Sequence, residues 1–386
     1  MHSSNVWQPR FWVLGLCGVV LAMAAGTSAS AAARWQADDP HMPAPVRALA
    51  TAVVFDRFNH LQPRPLLLKF ADMSVQVEVA ERQPCPARGI LMEDEAPPPE
   101  QGQLCTVATL VEQAPNHPEF RQVIASLVSG DNGALTTLHL ALYQLEPGGA
   151  LPQLLLSGYT GGAHCCAVSA LVGADGTGQW HVSELPSQDG DSVPGVVDIN
   201  HDGGRQFVFS DQRFNYRFAS YVWSVMPLVI YEYAQGQIKT VTTQPAYRPF
   251  LTAYFRHDFA SGAITSFAQG EVNGFLAAYV ANSANLGQLQ AGWNYMLPRY
   301  NRSMEQMDMT WCALDKSVWG HGVTACPAPY VHLVPYPQQL ALFLLQTGYI
   351  THAQCVALGY DPEKIQQEQD AIRAADTARW HATHPG

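Results

Sequence analysis

The sequence predicts an α+β protein: an N-terminal, mainly antiparallel β domain, a sandwich or a partial propeller-like piece, followed by a smaller helical domain. Three observations carry this. Between about 150 and 240, short apolar runs alternate with Gly, Pro, Asn or Asp, the rhythm of all-β sheets. Beyond about 245 the apolar residues recur at helical spacing. And 386 residues, 47% of them hydrophobic and only 14% charged, hold enough apolar surface for two or three domains, which excludes a disordered chain.

Taken in order, the chain opens with Arg10 and the apolar run Phe11 to Gly26, then small residues through Ala29-Ser30-Ala31. This is the pattern of a secretory leader cut after Ala31. The run of 16 residues is shorter than the ~20 that span a bilayer, and no later run is as long, so no transmembrane segment is expected in the mature chain. Residues 32–50 read as a flexible leader. A β-rich domain is expected over 51–243, a helical domain over 244–360 and a polar C-terminal helix or tail over 361–386.

Within the β domain, residues 74–80 alternate with period two, as a half-buried strand does. A Pro- and acid-rich loop follows, bracketed by Cys85 and Cys105. Residues 134–145 suit strand or helix by periodicity, and the Pro-Gly-Gly after them favours a strand turning into a hairpin. Strands are expected in 152–159, 164–173, 178–185, 205–211, 224–234 and 236–243. The stretch 152–157 echoes 205–210 at an offset of 53, a spacing near that of propeller blades. Phe214, Tyr216, Phe218, Tyr221 and Trp223 read as aromatics along one strand, at home in a sheet core.

In the helical domain Asn273 is expected to cap a helix with Phe275, Leu276, Tyr279 and Val280 on one face. A second helix runs from Gln288 to Leu297, stopped by Pro298, and a third from Met304 to Cys312. Pro337 opens and Gly348 closes a helix with Leu340, Phe343 and Leu344 as its buried stripe.

Charge narrows the function. Lys and Arg number 21 against 32 Asp and Glu, a net charge of −11. Nucleic-acid partners need a basic footprint, and none is present. Cleavage of the leader removes Cys17 and leaves Cys85, Cys105, Cys165, Cys166, Cys312, Cys326 and Cys355, an odd set in an oxidising compartment. The economical pairs are Cys85 with Cys105 and Cys312 with Cys326, each worth ~3 kcal/mol in the chain-entropy account; Cys165, Cys166 and Cys355 are further disulfide candidates.

Two constellations stand out. Asp198, Asn200 and Asp202 alternate before Gly203, as in a tight cation loop, where alternation aims oxygens at one point and Gly permits the turn. With Gln206 and the Gly204 carbonyl the set offers five oxygens to a structural Ca²⁺. Position 12 is Phe209, not the Glu of an EF-hand, and an Asx-rich hairpin turn explains the same residues without a metal. The second constellation is Gly161-Gly162-Ala163-His164-Cys165-Cys166. Three readings are open for it: a structural turn whose thiols enter disulfides, a soft-metal site, or a reactive thiol whose pKa His164 lowers.

The loop after Asp198 resembles the DxDxDG loops of FG-GAP and VCBS-type β repeats, with Gln206 where a carboxylate usually completes the cage. That resemblance implies calcium-stabilised β structure of adhesive or recognition proteins. Both constellations together, across residues 134–240, resemble exported bacterial proteins that carry GGAHCC and then a DxNxDG-type loop. That likeness implies envelope location and no particular activity.

No GxSxG, HExxH, Walker or GxGxxG signature is present. The sequence therefore reads as a periplasmic or secreted binding or scaffolding module without catalytic activity, its partner an envelope protein or a glycan. The alternative is an envelope enzyme, hydrolytic or thiol-based, centred on His164 and Cys166.

Overall fold

The computed structural model describes residues 43–92, 99–127, 134–149, 151–162, 166–190, 193–259, 271–304, 310–319 and 325–384. The expected leader, residues 1–31, lies outside them. The fold is α+β: antiparallel sheets form the N-terminal part, none of them a closed barrel, and a smaller helical region follows.

Three sheets stack face to face. The outer sheet has the order β3 (Leu66–Phe70), β4 (Met73–Pro84), β5 (Leu104–Gln113), β6 (Phe120–Leu127). The central sheet has the order β10 (Trp180–Gln188), β9 (Ala167–Ala174), β8 (Gln153–Tyr159), β7 (Thr137–Tyr143), β2 (Ala50–Asp56). The inner sheet has the order β1 (Ala44–Pro45), β11 (Val196–Asp198), β12 (Gln206–Ser210), β13 (Leu228–Ala234), β14 (Gln237–Thr240).

The side-chain period of two dictates the layering. Leu154 and Leu156 of β8 pack with Val75, Val77 and Leu110 of the outer sheet. Leu155, between them, packs with Phe207, Phe209 and Tyr233 of the inner sheet. Both faces of the central sheet are thus buried, which is why its strands read as unbroken apolar runs and why 134–145 did not alternate. Val197, Leu228 and Ile230 leave the inner sheet on its other face and meet the helices.

That last layer holds α1 (Arg248–Asp258), α2 (Val272–Asn285), α3 (Leu289–Met296), α4 (Lys316–Trp319), α5 (Tyr336–Gln346), α6 (His352–Ala357) and α7 (Pro362–Thr383). Leu276, Ala277, Val280 and Leu340 are fully enclosed there. A hairpin of β15 (Thr310–Cys312) and β16 (Val331–Leu333) rests on α7, with Arg373 over the Trp311 ring and Tyr330 edge-on to Trp380.

Disulfides join Cys85 to Cys105, bridging β4 to β5, and Cys312 to Cys326, across the hairpin. Cys355 is a free, fully buried thiol that burial, and then the Asp361 charge, pushes upward.

Several expectations need correction. Residues 44–50 are not loose: β1 pairs with β11, and β2 begins at Ala50. The third helix expected at Met304–Cys312 is absent at its end, where Thr310–Cys312 is a strand paired with Val331–Leu333. Asn273 lies inside α2 rather than capping it. Its side chain donates to the Asn301 carbonyl and accepts the Asn301 N–H. The aromatics 214–223 do not share a strand: Phe214 lies in the 3-10 turn Gln212–Phe214, Tyr221 and Trp223 in the 3-10 turn Tyr221–Trp223, and Tyr216 and Phe218 in the irregular stretch between them. Phe214 and Phe218 turn into the helical core, and Tyr216 turns out.

Candidate functional site

The two constellations lie at opposite ends of the stack. β12 begins beside the cation-type loop and ends at Ser210, whose carbonyl accepts from the Gln188 amide at the Cys166 end.

At the Cys166 end, the β8–β9 connection turns through Gly161, at φ +88°, where a Cβ would come within 2.9 Å of the Thr136 methyl; only glycine suits that position. Thr160 holds the return of the chain. Its N–H donates to the Cys166 carbonyl at 3.2 Å and its hydroxyl accepts the Cys166 N–H at 3.1 Å. The Tyr159 hydroxyl donates to the Gly162 carbonyl. Cys166 is buried and its sulfur is in a disulfide. His164 and Cys165 lie outside the described residues. A sulfur held in a disulfide is neither a nucleophile nor a thiolate ligand.

The ladder between β9 and β10 closes with Ala167 opposite Gln188. The residue just after β10, Asp189, is buried, and its carboxylate accepts the Tyr221 hydroxyl. That hydrogen bond, with burial, pushes the Tyr221 phenol up to about 12. Tyr216 packs on Tyr221 with ring centroids 5.6 Å apart. It sits at φ +58°, a costly conformation for a bulky residue, and is 51% exposed. Val222 beside it is 77% exposed and Val193 43%. Phe58, 57% exposed, adds a ring 6.0 Å from Tyr159. The arrangement offers apolar rings to solvent on a polar scaffold that is internally satisfied. Chemically, such a surface can bind.

At the other end, the loop is closed by its own hydrogen bonds. Asp198 accepts the N–H groups of Asp202 and Gly203, and Asp202 accepts that of Gly204. His201 and Gly203 both take positive φ. The remaining expected ligands are engaged elsewhere. The Gly204 carbonyl accepts from the Arg205 guanidinium at 2.7 Å, as does that of Gly203. Gln206 is 3% exposed; its carbonyl accepts the Ile199 N–H and its amide donates to Glu232. Glu232 also accepts the Tyr247 hydroxyl. Asp198, Asn200 and Asp202 remain for a cation that takes six to eight oxygens, a donor set that does not fit calcium in this arrangement. Among the described residues no group of three or more His, Cys, Asp or Glu is placed to hold a metal ion.

The scattered histidines have local partners: His181 pairs with Asp175 at 2.7 Å, His257 with Asp258 at 2.7 Å, and His332 stacks on Trp311. Two polar sites escaped sequence reasoning. Asp211 is buried and accepts from Arg213 and from Tyr349. Glu112 is wholly buried with no partner for either carboxylate oxygen. The second was readable, because Glu112 falls in phase with Ala108 and Leu110 on the inward face of β5.

Comparison with known proteins places this geometry in context. The profile of the sll0997 C-terminal domain matches residues 259–348, from the end of α1 through α5. A probable thylakoid lumen protein, sll0997 of Synechocystis sp. (strain ATCC 27184 / PCC 6803 / Kazusa), is 31% identical over 243 residues, 60% of this chain and 66% of that protein. The uncharacterized protein y4bJ of Sinorhizobium fredii (strain NBRC 101917 / NGR234) is 31% identical over 224 residues, 57% of this chain. The match spans just under two thirds of the first relative's length and 33% of the second's. No solved structure matches. No helix among the described residues is long and apolar enough to cross a membrane.

Proposed function

We propose that the protein is an exported, disulfide-braced binding or scaffolding module, and that its partner, an envelope protein or a glycan, seats on the aromatic surface at the Cys166 end. The observation that carries the reading is the exposed set Tyr216, Val222, Val193 and Phe58. Large apolar side chains gathered at one end of a protein mark interaction sites more often than accidents of packing. Export is supported by the leader-type N-terminus, by two disulfides of the kind oxidising compartments favour, and by similarity to a protein of the thylakoid lumen. The thiol-enzyme alternative is disfavoured because the Cys166 sulfur is in a disulfide.

The test is co-sedimentation of the mature protein with purified cell-wall sacculi and, separately, with envelope membranes. Tyr216→Ala combined with Val222→Asp is expected to cut retention at least tenfold with an unchanged melting temperature. Retention that is absent for the natural protein, or indifferent to the double substitution, defeats the reading.

Calcium is not part of this reading. Because the loop closes on its own backbone and Arg205 holds two of its carbonyls, removing calcium with EDTA is expected to leave the melting temperature within about 1 °C, under ~0.8 kcal/mol for a chain of this size. A rise of several degrees on adding millimolar calcium would reinstate an ion-stabilised loop.

A further inference from the structure

Glu112 lies on β5, opposite Val75 of β4 and Phe120 of β6. It is 0% exposed, and neither carboxylate oxygen has a hydrogen-bond partner among the described residues. A buried, unpaired carboxylate is among the costliest groups a core can hold, so the group stays protonated instead. Desolvation alone raises it, from an ordinary 4.5 to about 8.

What surrounds it offers no counter-charge. On the outer sheet's inward face stand Met73, Val75, Val77 and Leu110, and the facing side of the central sheet presents Val172, Trp180 and Val182. The charges of the outer sheet point the other way: Arg121 is paired with Glu78 and Glu119 on the solvent face, and Lys69 is exposed. Glu184 of β10 is exposed, and His117 lies beside Trp180 with ring centroids 6.0 Å apart. Across β9, Tyr233 brings its hydroxyl to Gly173, and its phenol is raised by burial and by the negative charges of Glu146, Asp175 and Glu112. Of these far-side groups Asp175 is paired with His181 at 2.7 Å, and the negative charges that reach Tyr233 do not favour an ionised Glu112.

The topology says what ionisation would move. β2 and β7 are neighbours in the central sheet, so residues 57–136 leave it at one place and return there. That excursion contains the whole outer sheet and the Cys85–Cys105 disulfide. Its strands pair among themselves, and the central sheet holds them by side-chain packing and by the Trp180 indole donating to the Pro118 carbonyl at 2.7 Å. The outer sheet can lift as one unit without breaking a strand ladder.

We propose that protonated Glu112 latches the outer sheet to the central sheet, and that loss of its proton lets the outer sheet lift away as a cooperative flap. The sign follows from linkage: the closed state keeps the proton and the open state gives it up. The opening constant therefore rises about tenfold per pH unit above the ordinary carboxylate range and levels off past about pH 8.

The experiment is hydrogen exchange on the intact mature protein at about pH 6 and about pH 9, corrected for intrinsic exchange rates. Residues 73–80, 104–113 and 120–127 are expected to lose at least tenfold protection at the higher pH, while residues 153–159 and 167–174 keep theirs. Glu112→Gln abolishes the difference; Glu112→Leu serves the same purpose if the amide folds poorly. Equal loss in both sets, no loss in the first, or a pH dependence that survives the substitutions overturns the latch.

Discussion

Asp211→Ala is expected to cost about 3 kcal/mol of folding stability, measured as the shift in the urea midpoint at constant slope. The carboxylate, 7% exposed, accepts the Arg213 N–H at 3.1 Å, its Nε at 2.8 Å, its Nη2 at 2.7 Å and the Tyr349 hydroxyl at 3.0 Å. Arg213 in turn donates to the Thr347 carbonyl. One side chain thus ties the end of β12 to the turn between α5 and α6. Without it the Tyr349 phenol, raised first by burial and then by the Asp211 charge, stays desolvated with its acceptor gone. Tyr349→Phe removes one hydrogen bond and is expected to cost about 1 kcal/mol. The double variant should lose less than the sum of the two, because both act through one contact. A loss below about 1 kcal/mol for Asp211→Ala would show that the tie contributes little.

Phe214→Ala is expected to cost about 4 kcal/mol, the range for deleting a buried aromatic ring. Phe214 is 2% exposed and meets Phe343 edge-on at 4.9 Å and Tyr349 at 5.5 Å, with Phe218 at 6.4 Å. Its removal leaves a cavity between the inner sheet and α5 that surrounding rings cannot fill without leaving their rotamers. Phe214→Leu keeps most of the volume and should lose under about 1.5 kcal/mol. If both substitutions cost the same, the apolar volume that leucine retains contributes nothing and the ring geometry alone sets the cost. Chemical denaturation of the two variants side by side decides.

Both sites sit where a strand layer meets a helix layer, and that junction shows how far reading residues in order can go. The Pro-first, Gly-last pattern at 337–348 located α5 to within a residue or so, since capping chemistry is local. The runs at 153–159, 167–174 and 206–210 are strands as expected. The aromatics 214–223 are not a strand, because an approximate period of two describes a strand and also a run of 3-10 turns joined by an irregular stretch. What distinguishes them is the pull of Phe214 and Phe218 toward Phe343, more than a hundred residues away. Asn273 was misjudged for a similar reason: a good capping residue locally, it is spent on Asn301 across the fold.

The candidate site was only partly visible. Gly161 and Cys166 were singled out by their neighbours in the chain, whereas Asp189, Tyr216, Tyr221 and Val222 join them only because β10 and the β12–β13 connection end at the same place. Gln206 was counted among oxygens for an ion, and the structure commits it to Ile199 and Glu232.

Composition and short-range pattern were sufficient for the α+β class, for the strand-then-helix order and for most strands, because backbone geometry and the spacing of apolar side chains are properties of a few consecutive residues. The order of strands in three stacked sheets and the clamp around Asp211 were decided in three dimensions. They depend on which distant segments exclude water from which side chains, and burial of that kind has no signature in any single stretch of chain.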